Sequence, residues 1–468
     1  MPFLIQIKIA HAPFWQNYRM DHMTNLRRLG LFEARVPRYT SYPPATAFHA
    51  NIGADFQKDC LQGLNPETPV SVYVHIPFCE RLCWFCACRT QGTSTLKPVA
   101  SYLDVVKQEL AMLRANLPKG TRMGRLHWGG GTPTILPPDM IRELAKAIFN
   151  AIPRAEDFSF SVEIDPTLVD AAKIKTLAEV GMTRASIGIQ DFDPAVQDAI
   201  GRSQSFQATK ACVDMLRGAG ITSLNADLVY GLPFQTTRRF AATLAKVADL
   251  DPDRIALFGY AHVPTFSKRQ KLIPDAALPN EEARYRLGQQ AAAAFEKNGY
   301  QSIGIDHFGK PKDSLTKAAK SGRLRRNFQG YTDDTCPTLI GIGASSISQF
   351  AEGYVQNASA TAAYIERISV GRLAGHRGYA LTPEDGLRAD AINMLMCNFE
   401  IDLEALSQHP LSERLVETHA AILQKFQGYV AQDGKNIRIA YTGRPLTRLI
   451  AQSYDGFTDI LAQYSQAS

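Results

Sequence analysis

An α/β architecture, a partial barrel of six βα units with a mostly helical C-terminal part, is predicted by three features of this sequence. From residue 71 short apolar, β-rich runs alternate with helix-length segments, as in repeated βα units feeding a parallel sheet. Polar residues interrupt those runs near their carboxyl ends, where barrels of this kind carry their chemistry. Past about residue 370 the alternation stops and helix-length patterns take over.

Taken in order, the chain first offers "VPRYTSYPPATAF" from Val36 to Phe48, rich in proline, tyrosine and hydroxyl residues and without period, which predicts an extended segment lying over the barrel mouth. Six strands follow: "VSVYVHI" to Ile76, "GRLHW" to Trp128, "FSFSVEI" to Ile164, "RASIGIQ" to Gln190, "SLNADLVY" to Tyr230 and "RIALFGY" to Tyr260. Between them, Leu103, Val106, Leu110, Leu113 and Leu117 fall at three- and four-residue steps, as do Ile141, Leu144 and Ile148, so these stretches are amphipathic helices. The C-terminal part holds "DGLRADAINMLMCNF" and a hairpin signal, "YVAQDGKNIRIAYT", with Asp433 and Gly434 at its turn, a winged-helix-like order without a dense basic recognition stretch. The expected division is residues 1–68 as an N-terminal segment covering the active site, 69–365 as the catalytic barrel and 366–468 as the helical C-terminal domain.

Five polar strand ends would meet at one mouth: Gly129 to Thr132, Glu163, Gln190, Asp227 and the "YAHVP" after the sixth strand, beside the loop after the first. That loop, "HIPFCERLCWFCACRT", carries Cys79, Cys83, Cys86 and Cys88, half of the chain's eight cysteines. Hydrophobic content of 45%, a net charge of +6 and no apolar run long enough for a membrane helix describe an ordinary globular chain, and "MPFLIQIKIAHAPFW" lacks the basic start and cleavage site of an export signal. The expected compartment is the cytoplasm, where crowded cysteines serve metal or redox chemistry rather than disulfides. Cys60, Cys212, Cys336 and Cys397 are scattered and read as small buried hydrophobes.

Four chemistries compete for the crowded loop: zinc, a redox dithiol, a fully ligated iron-sulfur cluster, and a cluster with one open iron. A structural zinc site wants a second knuckle that the sequence does not supply, and a dithiol leaves two cysteines unused. The spacing Cys79-x-x-x-Cys83-x-x-Cys86 suits a loop wrapped around a cubane with one iron left without a protein ligand, and an open metal position is where chemistry can occur. "HWGGGTPT" is neither a Walker loop nor GxGxxG, but its glycines let main chain approach a ligand closely.

CxxxCxxC directly after the first strand resembles the radical SAM enzymes, and further segments narrow the likeness. "RYTSYP", "YVHIPFC", "HWGGGTPT", "GIQDF", "DLVYGLP", "YAHVPT", "DHFGKP", "NFQGYT" and "CNFEIDL" resemble, in order, those of the oxygen-independent coproporphyrinogen III oxidase family. The resemblance implies that Cys79, Cys83 and Cys86 ligate a 4Fe-4S cluster. It implies two S-adenosylmethionine molecules: the first touched by Tyr73, Gly130, Glu163 and Ile347, the second by Phe85, Gly131, Thr132, Gln190, Arg202, Asp227 and Ala261. It implies that 5'-deoxyadenosyl radicals take hydrogen from two propionates of coproporphyrinogen III, which lose carbon dioxide to give protoporphyrinogen IX in haem biosynthesis. An electron donor and acceptor, unnamed by the sequence, are required; neither nucleic acid nor membrane span is expected, and the protein is expected to be a monomer. The four carboxylates of the substrate call for cations, for which Arg38, Arg323, Arg325 and Arg326 are candidates.

Cys88 is the predicted catalytic cysteine and separates this family from a similar haem-chaperone branch that lacks it; another relative opens the haem ring. "CACR" stands where the family has Cys-Gly-Cys-Asn, a departure at Ala87 and Arg89. A redox-sensing regulator with a DNA-reading tail is the alternative of another class, and the polar strand ends argue against it. Because 37 residues precede Arg38, the expected translation start is Met23, with Met20 also nearby; an intact mass showing Met1 or Pro2 at the end would overturn this.

Overall fold

A computed structural model describes residues 22–457. Apart from His22, the stretch before the expected start at Met23 lies outside the described residues. The six anticipated strands form and run parallel in chain order: β1 Val70–Ile76, β2 Met123–Gly130, β3 Arg154–Ile164, β4 Arg184–Gln190, β5 Ser223–Tyr230 and β6 Arg254–Gly259. Their apolar side chains are buried on both faces, as parallel strands require.

The sheet is larger than the sequence suggests. Six further short strands, β7 Gln301–Ile303, β8 His307–Gly309, β9 Leu339–Ile342, β10 Ile347–Phe350, β11 Gly353–Asn357 and β12 Gly375–Ala380, extend it to twelve. The order is β12-β11-β10-β9-β1-β2-β3-β4-β5-β6-β8-β7, so the end strands do not pair with each other and the barrel stays open. β9 is parallel to β1, whereas β8 turns back antiparallel on β6. β12 lies within the stretch that the sequence assigns to the C-terminal domain, yet it is hydrogen-bonded to β11 in the large sheet.

Among the helices that cover this sheet are α1 Lys97–Asn116, α2 Pro138–Ala151, α3 Ala171–Glu179, α4 Phe206–Gly218, α5 Thr237–Leu250 and α6 Glu281–Lys297. Four of them start at a side-chain cap, Asp170, Ser205, Thr236 and Asn280 each accepting from a first-turn N–H. Their apolar faces meet β-strand residues such as Trp128 and Phe160 in one core.

The C-terminal part consists of α7 Pro383–Asn398, α8 Val416–Lys425 and α9 Thr447–Gln452 around a small antiparallel sheet, β13 Glu400–Asp402, β14 Val430–Asp433 and β15 Asn436–Ile439. The hairpin turns at Gly434, whose φ of +59° is easy for glycine. A second core joins Leu26, Leu31, Phe32, Val36 and Tyr39 to Leu387, Leu395, Phe426, Leu446 and Tyr454. The segment from Val36 to Phe48 has no long helix or strand; Tyr39 donates to Asp455 at 2.9 Å and the Gly456 N–H to Tyr42 at 2.9 Å, so it is packed largely on the C-terminal part. Among the described residues no helix is long and apolar enough to cross a membrane.

Candidate active site

The loop after β1 has its main chain fixed from several sides. Phe78–Cys79 pairs with Gln91–Gly92, the Trp84 N–H donates to Ile200 O at 2.9 Å, and His75 Nε2 meets Arg89 O at 3.0 Å. From the segment after β6, Ser267 Oγ donates to Cys86 O (3.0 Å), Gln270 Nε2 to Phe85 O (2.9 Å) and Arg269 to Cys88 O (3.2 Å). With the carbonyls thus occupied, the sulfurs face the cavity.

All four cysteines of the loop are free. Thr132 Oγ1 donates to Cys79 Sγ and Arg202 Nη1 to Cys83 Sγ, each at 3.5 Å. Burial pushes the Cys79 thiol up to about 11, while a hydrogen bond from Cys88 holds Cys86 down at about 6 and raises Cys88 in turn. Arg202 is buried; Asp165 at 3.3 Å and the Cys83 sulfur outweigh the effect of that burial and keep it charged.

Across the mouth lies the glycine run at the end of β2. The Gly131 N–H donates to Ile76 O and the Thr132 N–H to Phe78 O, both at 2.8 Å, stitching the run to the cysteine loop. A Cβ on Gly131 would stand 2.5 Å from Phe78 O and 2.7 Å from Ile76 O, so main chain would have to move, and one on Gly130, at φ +103°, would be strained and would meet the His75 ring. Glu163, at the end of β3, takes the Gly130 N–H at 3.1 Å and faces His127 Nε2 at 3.3 Å. Burial alone would raise its pKa; the His127 hydrogen bond and charge, with the Gly130 N–H, outweigh that and hold the carboxylate below its usual range. Asp227 accepts from Ser186 Oγ (2.8 Å) and Asn225 Nδ2 (2.7 Å), yet burial pushes it up to about 6. Gln190 ends β4 at φ +66°, an uncommon conformation for a residue with a side chain, next to a break in register with β5.

One pocket of about 200 Å³ is lined by Cys79, Cys83, Phe85, Cys86, Cys88, Gly130, Gly131, Thr132, Glu163, Gln190, Arg202 and Asp227. Three of the expected cofactor contacts stand outside that lining. Tyr73 sits on β1 with its hydroxyl 3.0 Å from His75 Nδ1 and its ring stacked on His127, Ala261 O accepts from Gln270 at 3.1 Å, and Ile347 begins β10. Of the candidate arginines, Arg38 donates to Gly259 O (2.6 Å) and Arg326 to Arg38 O (3.0 Å), whereas Arg323 and Arg325 are exposed. Sequence reading missed Asp165, Ser186 and Arg269, which also line the pocket. Asp165 sits just past the end of β3, the signal that found Glu163; Ser186 lies inside β4 and Arg269 in "SKRQK", and neither had such a signal.

The donor set fits an iron-sulfur cluster. Among the described residues no three His, Cys, Asp or Glu side chains converge on a single metal ion, so a mononuclear zinc site is not built. Soft sulfurs spaced around a cavity, with a buried guanidinium against one of them to offset thiolate charge, suit a larger polynuclear group. The strand-end polar groups and the bare glycine main chain suit a small polar ligand beside it.

Comparison with known proteins agrees. The profile of the Radical SAM superfamily matches residues 73–247. A Cereibacter sphaeroides protein named oxygen-independent coproporphyrinogen III oxidase is 56% identical over 452 residues, 96% of this chain and 100% of its own length. One of the same name from Escherichia coli is 38% identical over 438 residues, 92% of this chain and 95% of the relative. The solved structure of coproporphyrinogen III oxidase from Escherichia coli, described as a radical SAM enzyme, superposes with TM-score 0.86 at 38% identity, covering 90% of this chain and 97% of that one. With likeness of this degree running along nearly the whole chain, the protein belongs to the oxygen-independent coproporphyrinogen III oxidase family of the radical SAM superfamily.

Proposed function

We propose that this protein converts coproporphyrinogen III to protoporphyrinogen IX without oxygen, as an oxidoreductase of haem biosynthesis with a 4Fe-4S cluster and S-adenosylmethionine. The observation that carries the reading is the meeting of the CxxxCxxC thiols, the glycine run and the strand-end carboxylates in one pocket of a chain so similar to named relatives. Cluster and S-adenosylmethionine, when bound, supply the one-electron chemistry that removes hydrogen from a propionate side chain.

The chain's own residues have distinct tasks in this reading. Cys79, Cys83 and Cys86 hold the cluster, and the pinned main chain of their loop fixes where it sits. Arg202 balances thiolate charge, and Gly130, with Glu163 behind it, offers main chain to the first S-adenosylmethionine together with Tyr73 and Ile347. Phe85, Gly131, Thr132, Gln190, Asp227 and Ala261 line the place of a second, where Ser186 and Asn225 orient the Asp227 carboxylate. Cys88, beside Cys86 but outside the ligand set, is the catalytic cysteine.

Residues 69–365 are the catalytic part, with 1–68 and 366–468 as its cover and C-terminal domain, the latter lending strand β12 to the sheet. The protein acts as a cytoplasmic monomer with a separate electron donor and acceptor. The test is anaerobic turnover: reconstituted protein, S-adenosylmethionine and a reductant should yield protoporphyrinogen IX from coproporphyrinogen III. Consumption of S-adenosylmethionine with that substrate untouched would move the assignment to the haem-modifying relatives, and haem binding without such consumption to the chaperones.

A further inference from the structure

Three arginines line the cysteine pocket, and two of them share one acid: Asp165 lies 3.3 Å from Arg202 and 3.7 Å from Arg81. The other two carboxylates of the lining have partners of their own, Glu163 in His127 and Asp227 in Ser186 and Asn225. Arg269 is left over. Its Nη2 donates to Cys88 O at 3.2 Å and to Thr90 Oγ1 at 3.0 Å, and among the described residues it has no carboxylate within ion-pair distance.

Two more arginines stand beside it, outside the pocket. Arg89 lies between the two residues that Arg269 holds; it is exposed, and its guanidinium is 5.4 Å from the centroid of the Phe266 ring. Arg377 arrives from β12, directly opposite Gln356 of β11, which is itself opposite Ile347 of β10. Residues opposed across antiparallel strands share a face, so Arg377 projects on the side of Ile347. Its Nε donates to Gln356 Oε1 at 2.8 Å, and its guanidinium is 6.0 Å from the centroid of Phe48. After burial, the charge of Arg89 is what pulls the pKa of Arg377 down, so the two guanidinium groups are neighbours. Among the described residues neither has a carboxylate within ion-pair distance.

Three distant parts of the chain thus bring positive charges to one place without an acid to offset them. Such a group repels itself until an anion joins it, and planar guanidinium forks match carboxylates. Phe266, 68% exposed, adds apolar surface beside the charges, as a macrocycle with acidic side chains requires. The pocket of about 200 Å³ is too small for a tetrapyrrole, so most of such a substrate rests outside it, where these side chains are.

We propose that Arg89, Arg269 and Arg377 form a cationic rim that binds propionates of the porphyrinogen at the mouth of the cysteine pocket. This deepens the substrate reading above and rests on it. The test is a fluorescence titration of the reconstituted holoprotein with coproporphyrin III, the oxidised ring with four propionates, beside equilibrium dialysis of S-adenosylmethionine. Arg269→Gln and Arg377→Gln should each weaken coproporphyrin III binding about tenfold, as loss of a charged hydrogen bond does, and Arg269→Lys and Arg377→Lys should recover part of it. Arg89→Asn, which restores the family's residue, should weaken it about threefold, because that guanidinium is exposed. Arg238→Gln, at an exposed position on α5, should change nothing, and a thermal melt confirms that each variant is folded. Iron content and S-adenosylmethionine affinity should stay at wild-type values. In anaerobic turnover Arg377→Gln should raise KM far more than it lowers kcat, a split that a merely structural role would not give. Unchanged coproporphyrin III affinity in either folded glutamine variant would overturn the inference, as would a loss of S-adenosylmethionine affinity in its place. Wild-type turnover with arginine-independent binding sinks this inference alone, whereas arginine-dependent binding without turnover sinks the substrate reading alone.

Discussion

Two glutamates, one sealed in the core and one at the mouth of the pocket, show how one residue type is put to opposite uses. Glu109, inside α1, accepts from the Gly343 N–H (2.8 Å), Tyr364 Oη (2.7 Å) and Asn357 Nδ2 (2.9 Å), and joins the helix to the ends of β9 and β11 and to the helix that carries Tyr364. Glu163 has one N–H and a histidine, and it borders the pocket. The better-satisfied carboxyl is the one whose pKa goes up: burial pushes Glu109 to about 7, because its partners are neutral dipoles, whereas the nearby His127 helps hold Glu163 ionised. Hydrogen-bond count is thus a poor guide to charge, and the sealed clamp and the open mouth should respond differently to the same substitutions.

The largest difference is expected at the thiols. Cys79→Ser should bring bound iron and acid-labile sulfide to background and abolish turnover, whereas Cys88→Ser should keep the iron and lower turnover; loss of iron in Cys88→Ser would show the ligand assignment to be wrong. Glu163→Gln should cut turnover about 10- to 100-fold, as loss of a supporting contact at a metal site does, with little change in melting temperature. Gly131→Ala should cost about 1–3 kcal/mol in stability because main-chain oxygens must move, and should impair binding of S-adenosylmethionine measured by equilibrium dialysis.

Glu109→Gln should leave the specific activity of folded protein near wild type while costing about 1–3 kcal/mol in denaturant titrations. Its pH dependence separates the two carboxyls. A group raised from 4.5 to about 7 stabilises the fold below pH 4.5 and loses that contribution as the pH rises toward 7, on the order of 3 kcal/mol in all. The Glu109→Gln variant should lack that decline. Glu163, held below its usual value, contributes with the opposite sign, its stabilisation fading as pH falls. The smallest effect is expected at the exposed pair of Lys435 and Glu404, where Lys435→Ala should change stability by under about 0.5 kcal/mol.

The sequence was most legible where both faces of an element are buried. Strands β1 and β3 to β5 end at the residues expected, because short apolar runs alternating with helix-length segments admit few other readings, and β2 and β6 end within two residues of expectation. Strands β7 to β12 were missed, being three to six residues long and bounded by glycines, so that only pairing with a neighbour defines them. The pocket was legible for a similar reason: its residues recur at equivalent strand ends. Glu109 was not, since it is one polar residue in a helix and its partners lie far along the chain.

The second core has a consequence for biosynthesis. Leu26, Leu31, Phe32 and Val36 share their core chiefly with residues from Leu387 onward, with Tyr285 and Ile305 packed against it. At ribosomal elongation rates that separation amounts to tens of seconds, on the order of 20 to 70, during which the N-terminal segment has emerged and most of its partners have not been made. The barrel strands can pair meanwhile with close neighbours in sequence, so the barrel forms first and the two ends of the chain meet last. A nascent chain stalled before α7 would therefore present that apolar segment to chaperones and proteases, which makes the last 80 or so residues the step that commits the protein to its finished form.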